Sequence, residues 1–137
     1  MVGLDKLDKV LEKADFIVNV LPKTDETIHF FTKAHFARMK PTTVFMNIGR
    51  GQTVVEDDLI EALQSGKIAG AVLDVYTVEP LPKESPLWSM PNVLMYPHSA
   101  DDDRFYIDRV VKRLFDNIER FKNGQELTFT VDKKLGY

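Results

Sequence analysis

Four polar residues of types common in active sites follow three apolar runs of the sequence. They are Arg50 between two glycines, Asp74 at the end of an apolar run, Glu79 before a proline and His98 after a proline. A guanidinium can hold a carboxylate through two parallel hydrogen bonds. Imidazole titrates near neutral pH and can move a proton, and a neighbouring carboxylate stabilises its charged form. Such chemistry requires a fold that brings the four residues together.

Apolar runs alternate with amphipathic stretches along the chain, which is typical of an α/β fold. Strands are predicted at 16–20, 43–48, 68–75 and 92–97. Helices are predicted within 4–15, at 33–39 after the cap Thr32, from a cap at Asp57 to a stop at Gly66, and at about 104–121. Strands that are apolar throughout and alternate with helices indicate a parallel sheet covered on both faces.

The positions of the polar residues relative to these strands predict where a ligand would bind. In open α/β sheets, ligands lie beyond the carboxyl ends of the strands. Thr24 and Thr27 follow the first predicted strand, Arg50 follows the second, and His98 follows the fourth. These side chains are therefore expected at one edge of the sheet, together with Asp74 and Glu79 after the third strand.

Composition excludes several classes of partner. The net charge of −3 and the scattered Lys and Arg residues argue against nucleic acid, because phosphate binding needs a basic cluster. No apolar run approaches the ~20 residues that span a bilayer, so no membrane partner is expected. The chain has no cysteine, which excludes thiolate metal sites and fits an intracellular location. The three histidines show no metal-ligand spacing, so no metal site is predicted, and His29 and His35 are expected at the surface.

The motifs in this order resemble the D-isomer-specific 2-hydroxyacid dehydrogenases, the family of glyoxylate/hydroxypyruvate reductases and phosphoglycerate dehydrogenase. The matching features are "GRG", "LDV" with "EP" beginning five residues after its Asp, and "PH", and the similarity covers almost the whole chain. The family inserts a nucleotide-binding domain into a substrate domain. The resemblance therefore implies that residues 1–100 are the second half of a Rossmann-type NAD(P)-binding domain. Residues 101–137 would be the long return helix and tail of the substrate domain.

One feature of the family is missing from this sequence. No G-x-G-x-x-G turn occurs, although such a turn binds the pyrophosphate of a dinucleotide. The chain is therefore expected to be the carboxyl-terminal portion of a longer enzyme. Activity of these 137 residues alone is doubtful on this ground.

The resemblance also implies a function and roles for individual residues. The reaction would be hydride transfer between NAD(H) or NADP(H) and a small 2-keto or 2-hydroxy acid, such as glyoxylate or hydroxypyruvate. The implied catalytic residues are Arg50, Glu79 and His98. The implied cofactor-binding residues are Leu21, Pro22, Thr27, Ile48 and Asp74. A homodimer located in the cytoplasm is expected.

Each of these residues taken alone also has a purely structural interpretation. A glycine-flanked arginine is usually a solvated loop residue, and a carboxylate before a proline is usually at the surface; Trp88 is expected to be a packing anchor. The joint spacing favours the catalytic interpretation. A non-enzymatic, corepressor-like protein or an inactive dimerisation protein on the same scaffold stays an alternative, because such proteins can keep these residues. Cofactor binding with turnover of a 2-keto acid would separate the two.

Overall fold

The computed structural model describes residues 3–135, and the chain divides into two compact units, Met1–His98 and Ser99–Tyr137. The first unit contains a sheet of four parallel strands in sequential order. The strands are β1 (Phe16–Asn19), β2 (Val44–Asn47), β3 (Gly70–Leu73) and β4 (Val93–Met95). Each lies inside the run predicted for it, and the predicted α/β class with a parallel sheet is confirmed.

The helices of the first unit pack against one face of the sheet. They are α1 (Leu7–Leu11), α2 (Lys33–Arg38) and α3 (Glu56–Gln64), with 3-10 turns at Leu4–Lys6, Gly51–Thr53 and Pro86–Ser89. Phe45 of β2 lies at the centre of this core, with its ring 5.0 Å from that of Phe31 and 5.3 Å from that of Phe36, both edge-on. Each buried phenylalanine stabilises the fold by about 1.5–3 kcal/mol.

The prediction that both faces of the sheet are covered is wrong for the first unit. Side chains alternate across a strand, and Ile17 and Phe45 share the core with residues from all three helices. On the opposite face, Phe16 and Val18 of β1 and Leu94 of β4 are each at least 50% exposed. An apolar strand pattern indicates that both faces of a sheet can be buried. Burial also requires elements that pack on each face, and α1–α3 pack on one face.

The start of α3 also differs from the prediction. Asp57 was expected to cap this helix, but the helix begins at Glu56 with Val55 at the N-cap. The backbone N–H of Val55 donates to the carbonyl of Phe31. This bond holds Val55 in an extended conformation, so the helix begins at the next residue. The acidic residues that follow lie in the first turn, where the helix dipole favours negative charge. The predicted stop is confirmed, since α3 ends just before Gly66, whose φ is +68°.

His35 is less exposed than the surface position that the sequence predicts. It is half-buried, and its ring stacks on Phe30 at 5.5 Å between centroids. Its Nδ1 accepts a hydrogen bond from the backbone N–H of Thr32, the predicted N-cap of α2. The histidine is three residues after the helix cap, where its ring accepts the hydrogen bond of the N-cap N–H, as the side chain of Glu or Gln does in a capping box. His29 is exposed, as predicted.

The second unit consists of one long helix and a tail that folds back on it. Helix α4 spans Tyr106–Lys122, close to the predicted 104–121. The Asn117 side chain exchanges hydrogen bonds with the backbone of Thr128, and the Arg113 guanidinium lies 4.2 Å from the centre of the Phe129 ring. The apolar residues predicted to share one face of the helix are all more than 40% exposed: Ile107, Val110, Val111, Leu114, Ile118 and Phe121.

Candidate active site

The register of the sheet brings the predicted polar residues to one edge. Asn19, Asn47 and Leu73 are aligned across β1, β2 and β3, so the residues that follow them leave the sheet side by side. Arg50 lies three residues beyond β2, and Asp74 directly follows β3. This is the carboxyl edge, where ligands of open α/β folds bind.

Glu79 and His98 form a hydrogen-bonded pair at this edge. The distance between His98 Nδ1 and Glu79 Oε2 is 2.8 Å, and both side chains are about 40% exposed, at 44% and 36%. The other carboxylate oxygen of Glu79 accepts a hydrogen bond from the Tyr76 backbone N–H at 2.9 Å. Glu79 is thus held from both sides and orients the imidazole.

The environment of Glu79 stabilises its charged form. Burial raises the pKa of the Glu79 carboxyl, but the hydrogen bonds from His98 and from the Tyr76 N–H lower it, as do the charges of His98 and Arg50. The pKa of Glu79 is therefore below its ordinary value of 4.5. Glu79 is therefore a carboxylate at neutral pH.

This lowered pKa predicts a pH-dependent difference between the wild-type chain and Glu79→Gln. A carboxyl whose pKa is lower in the folded state contributes stability above its unfolded pKa and loses it as the pH falls through the folded pKa. The stability lost in Glu79→Gln should therefore be full above about pH 4.5 and vanish in stronger acid. Urea denaturation at several pH values measures it. The loss should shrink in a His98→Ala background; a loss that is constant with pH would contradict the prediction.

The backbone of His98 is also unusual. Its φ is +56°, in the left-handed region that costs a non-glycine residue about 1–2 kcal/mol. Residues kept in such conformations by their surroundings cluster at functional sites. Two residues upstream, the Tyr96 N–H donates to the Leu73 carbonyl, which aligns the segment leading to His98 with the end of β3.

Tyr76 ties the ends of β3 and β4 together, a role that sequence analysis missed. Its single hydroxyl proton is shared between the carbonyls of Leu73 and Tyr96, at 3.2 and 3.0 Å. Burial raises the pKa of the Tyr76 hydroxyl, and the nearby carboxylates of Asp74 and Glu79 add to this effect. The hydroxyl therefore stays protonated at neutral pH. The "DVY" segment contained one signal of this role, a tyrosine at the end of a buried strand.

The two glycines around Arg50 allow close approach of three backbone segments. A Cβ at Gly49 would lie 2.6 Å from the carbonyl oxygen of Leu21, beyond β1. A Cβ at Gly51 would lie 1.9 Å from the carbonyl carbon and oxygen of Tyr76, beyond β3. The "GRG" motif is thus required by space, because any side chain would push the Arg50 loop away from both neighbours.

Two polar side chains connect the loop of Arg50 to the loop of Glu79. The Gln52 side-chain amide donates to the Thr77 carbonyl at 2.9 Å, and Glu56 accepts a hydrogen bond from the Thr77 N–H at 3.0 Å. Thr77 lies between Tyr76 and Glu79 in sequence, so these bonds fix the Glu79 loop relative to Arg50.

The residues predicted to bind the cofactor lie along the same edge. Thr27 donates to the carbonyl of Pro22 at 2.6 Å and closes the loop after Leu21. Ile48 is 43% exposed and Asp74 is 4% exposed. Ile48 follows β2 and Asp74 follows the neighbouring strand β3. An exposed apolar side chain and a carboxylate in this arrangement suit a flat ring that carries an amide. The residues present therefore fit the nicotinamide half of a dinucleotide, and their roles stay predictions.

A pocket of about 580 Å³ borders the Glu79–His98 pair. Glu79 and His98 form part of its wall, and apolar and aromatic side chains form most of the rest: Tyr76, Pro80, Leu81, Trp88, Met95, Tyr96 and Pro97. Trp88 was expected to be a packing anchor, but it is 56% exposed and its indole N–H donates to the Pro82 carbonyl. The adjacent Leu87 is fully buried instead, because neighbours in a 3-10 turn point in different directions.

Two other classes of site are not found in the part of the chain that the structure describes. Within residues 3–135, no three His, Cys, Asp or Glu side chains are grouped so that they could hold a metal ion. None of the helices in that part of the chain is long and apolar enough to cross a membrane.

An open parallel sheet with a polar cluster beyond its carboxyl ends is the architecture of half a Rossmann-type nucleotide-binding domain. Comparison with protein families agrees with this class. The model of the D-isomer specific 2-hydroxyacid dehydrogenase NAD binding domain matches residues 1–100, and the chain belongs to this family. The resemblance noted in the sequence is confirmed.

Individual relatives are similar over nearly all of this chain. Glyoxylate/hydroxypyruvate reductase A of Enterobacter sp. (strain 638) is 41% identical over 135 residues, which are 98% of this chain and 43% of that protein. The NADPH-dependent glyoxylate/hydroxypyruvate reductase of Sinorhizobium meliloti, solved with NADP and sulfate, is 39% identical with a TM-score of 0.92. The match covers 99% of this chain and 44% of that protein chain.

A second solved structure gives the same result. The D-isomer specific 2-hydroxyacid dehydrogenase of Xanthobacter autotrophicus Py2, solved with NADPH and MES, is 39% identical with a TM-score of 0.90. It covers 98% of this chain, which corresponds to 55% of that structure. Among the curated relatives, in contrast, the chain spans less than half the length of each of the first three proteins that it matches.

Proposed function

We propose that this chain is the carboxyl-terminal portion of an NAD(P)-dependent oxidoreductase acting on a small 2-keto or 2-hydroxy acid, such as glyoxylate or hydroxypyruvate. The observation that supports this most is the Glu79–His98 pair at 2.8 Å, in which the charge of Arg50 helps to lower the pKa of the Glu79 carboxyl. An anion-binding group and an oriented proton donor are the two protein groups that reduction of a keto acid needs.

In this proposal each polar group has a separate task. Arg50 holds the substrate carboxylate and polarises the keto oxygen. The nicotinamide, when bound, supplies the hydride that adds to C2. His98 gives a proton to the keto oxygen as it becomes a hydroxyl, through Nε2, because Nδ1 is bonded to Glu79. Glu79 keeps the ring oriented through its hydrogen bond to Nδ1.

The cofactor would lie across the ends of β1, β2 and β3. In this proposal, Asp74 accepts a hydrogen bond from the nicotinamide carboxamide and thereby selects a ring face. Ile48 and the loop formed by Leu21, Pro22 and Thr27 line the same site. In the same proposal, residues 1–100 belong to the cofactor-binding domain and residues 101–137 belong to the substrate domain.

Replacement of Arg50 tests the proposed function in the product of the complete open reading frame. Arg50→Ala should raise KM for glyoxylate and also lower kcat, by roughly two to three orders of magnitude, because the same guanidinium binds the ground state and steadies charge in the transition state. Oxidation of NADPH or NADH by glyoxylate and hydroxypyruvate is the assay. Arg38→Ala, at an exposed arginine paired with Asp8 and Glu12 of the α1 region, is the control. Unchanged kinetics in Arg50→Ala would refute the assignment.

The 137-residue chain by itself should bind NADPH or NADH weakly. The chain has no glycine-rich turn leading into a helix amino terminus, which is the feature that binds a pyrophosphate. Isothermal calorimetry of this chain and of the complete gene product should give a large difference in affinity. Tight, stoichiometric binding by the 137 residues would contradict the prediction.

We also propose that the complete protein is a cytoplasmic homodimer. The exposed apolar face of β1 and β4 and the exposed apolar stripe of α4 support association, since monomers rarely expose large apolar patches. Sedimentation of the complete gene product tests the oligomeric state.

A further inference from the structure

Two asparagines and a threonine form a fully buried polar cluster beneath the Arg50 loop. Asn19, Asn47 and Thr53 are at most 2% exposed. The Asn19 amide donates to Asn47 Oδ1 at 3.0 Å and to the Thr53 hydroxyl at 2.6 Å. Burial of polar groups is costly unless they are paired, and here each is paired with another member. Asn19 and Asn47 are the last residues of β1 and β2, and Thr53 ends the 3-10 turn that follows β2.

The cluster converges on the backbone of Arg50. The Arg50 carbonyl accepts hydrogen bonds from the Thr53 hydroxyl at 2.6 Å, from the Thr53 N–H at 3.1 Å and from the Asn47 amide at 3.3 Å. The Arg50 guanidinium is exposed, and Nη1 donates to the Gly49 carbonyl at 2.7 Å. The backbone of this residue is therefore held from below while its charged end faces outwards.

The same cluster also reaches the end of β1. Asn19 Oδ1 accepts a hydrogen bond from the Leu21 N–H at 3.1 Å, and Asn47 Oδ1 accepts one from the Gly49 N–H at 3.1 Å. One buried network thus joins the loop of Leu21 to the loop of Arg50.

We infer that the Thr53 hydroxyl, oriented by Asn19 and assisted by Asn47, is a positioning group that sets where the Arg50 guanidinium meets the substrate carboxylate. This inference rests on the proposed function of Arg50. A displacement of a binding group by about 1 Å can lower catalysis by about 100-fold, so a rigid support beneath an exposed arginine has a direct kinetic consequence.

The test compares two buried threonines, Thr43 directly before β2 and Thr53 in the 3-10 turn after it. Thr53→Ala removes the hydroxyl; valine is avoided because its methyl would lie where the hydroxyl is, 2.6 Å from the Arg50 carbonyl oxygen. Thr43→Ala is the matched control: Thr43 is equally buried, and its hydroxyl donates to the Ala14 carbonyl at 2.8 Å, at the amino end of the strand. Thr53→Ser restores the hydroxyl.

The kinetic readout is made on the product of the complete open reading frame. Thr53→Ala should lower kcat/KM for the keto acid by about 10- to 100-fold, mainly through KM, with KM for the reduced cofactor unchanged. Thr53→Ser should recover most of this loss. Thr43→Ala should shift the urea midpoint similarly but leave kcat/KM near the wild-type value. Equal kinetics in Thr53→Ala and Thr43→Ala would overturn the inference.

A second readout does not depend on turnover. In the 137-residue chain, the NMR order parameter of the Arg50 backbone N–H should fall in Thr53→Ala and stay in the rigid range in Thr43→Ala and Thr53→Ser. An unchanged order parameter overturns the inference even if the enzyme is active. If the wild-type protein shows no turnover, the proposed function fails and this measurement decides the positioning role alone. If Thr53→Ala does not fold, Asn19→Ala, which removes the donor to the hydroxyl, should show the same change in smaller size.

Discussion

Replacing His98 with alanine is expected to lower kcat for glyoxylate or hydroxypyruvate reduction by roughly two to four orders of magnitude. The proton that the keto oxygen must receive would then come from water, without an oriented donor. KM should change little, because Arg50 and not His98 binds the carboxylate in the proposed mechanism. Steady-state kinetics of the complete gene product, with either reduced nicotinamide cofactor, provide the measurement.

The matched control for this substitution is His29→Ala. His29 is also exposed and has nearly the same left-handed backbone, with φ of +55° against +56° for His98. The two substitutions therefore remove the same side chain from exposed residues with nearly the same φ. Full activity in His98→Ala would refute the dehydrogenase function itself, whereas equal losses in both variants would point to a general effect on the fold.

Replacing Gly51 with alanine is expected to destabilise the first unit by about 3 kcal/mol or more, because overpacking here moves backbone and not a flexible side chain. The added Cβ would lie 1.9 Å from the Tyr76 carbonyl group. The Arg50 loop and the Tyr76–Thr77 backbone would have to separate, which also moves Glu79. Urea denaturation followed by the fluorescence of Trp88, the single tryptophan of the chain, measures the loss.

Gly66→Ala separates this effect from the intrinsic cost of replacing glycine. Gly66 has a φ of +68°, and a Cβ added there would meet no atom within 4 Å. Its substitution should cost about 1–2 kcal/mol through backbone strain alone. A Gly51→Ala variant as stable as Gly66→Ala would show that the loops can separate freely, and the explanation of the "GRG" motif would be wrong.

The strand positions could be predicted from the sequence because apolar runs bounded by Pro, Gly and polar residues have few other solutions in a chain of this size. Residues such as Phe45 and Ala71 are apolar in the sequence and buried in the core. The stop of α3 before Gly66 was predictable for a local reason, since a left-handed residue ends a helix wherever it lies. The start of α3 was not, because a contact from Phe31, far away in the sequence, holds Val55 extended.

The candidate site was also predictable from the sequence only in part. Arg50, Glu79 and His98 are recognisable from residue type and spacing, and their common edge follows from the rule for parallel strands. Their support was not recognisable. Asn19 and Thr53 are 34 positions apart and meet through a single buried hydrogen bond, and neither residue type by itself indicates such a partner.

The sequence by itself determined the α/β class, the positions and parallel direction of the strands and the chemical groups at the carboxyl edge, because these depend on local pattern and on the direction of parallel strands. Only the tertiary structure decided which face of the sheet is buried, why both glycines of the "GRG" motif are required, and what holds the backbone of Arg50. Those properties depend on distances between segments far apart in the chain. A Cβ at Gly51 is prevented by Tyr76, and the Arg50 carbonyl is held by a threonine that Asn19 orients.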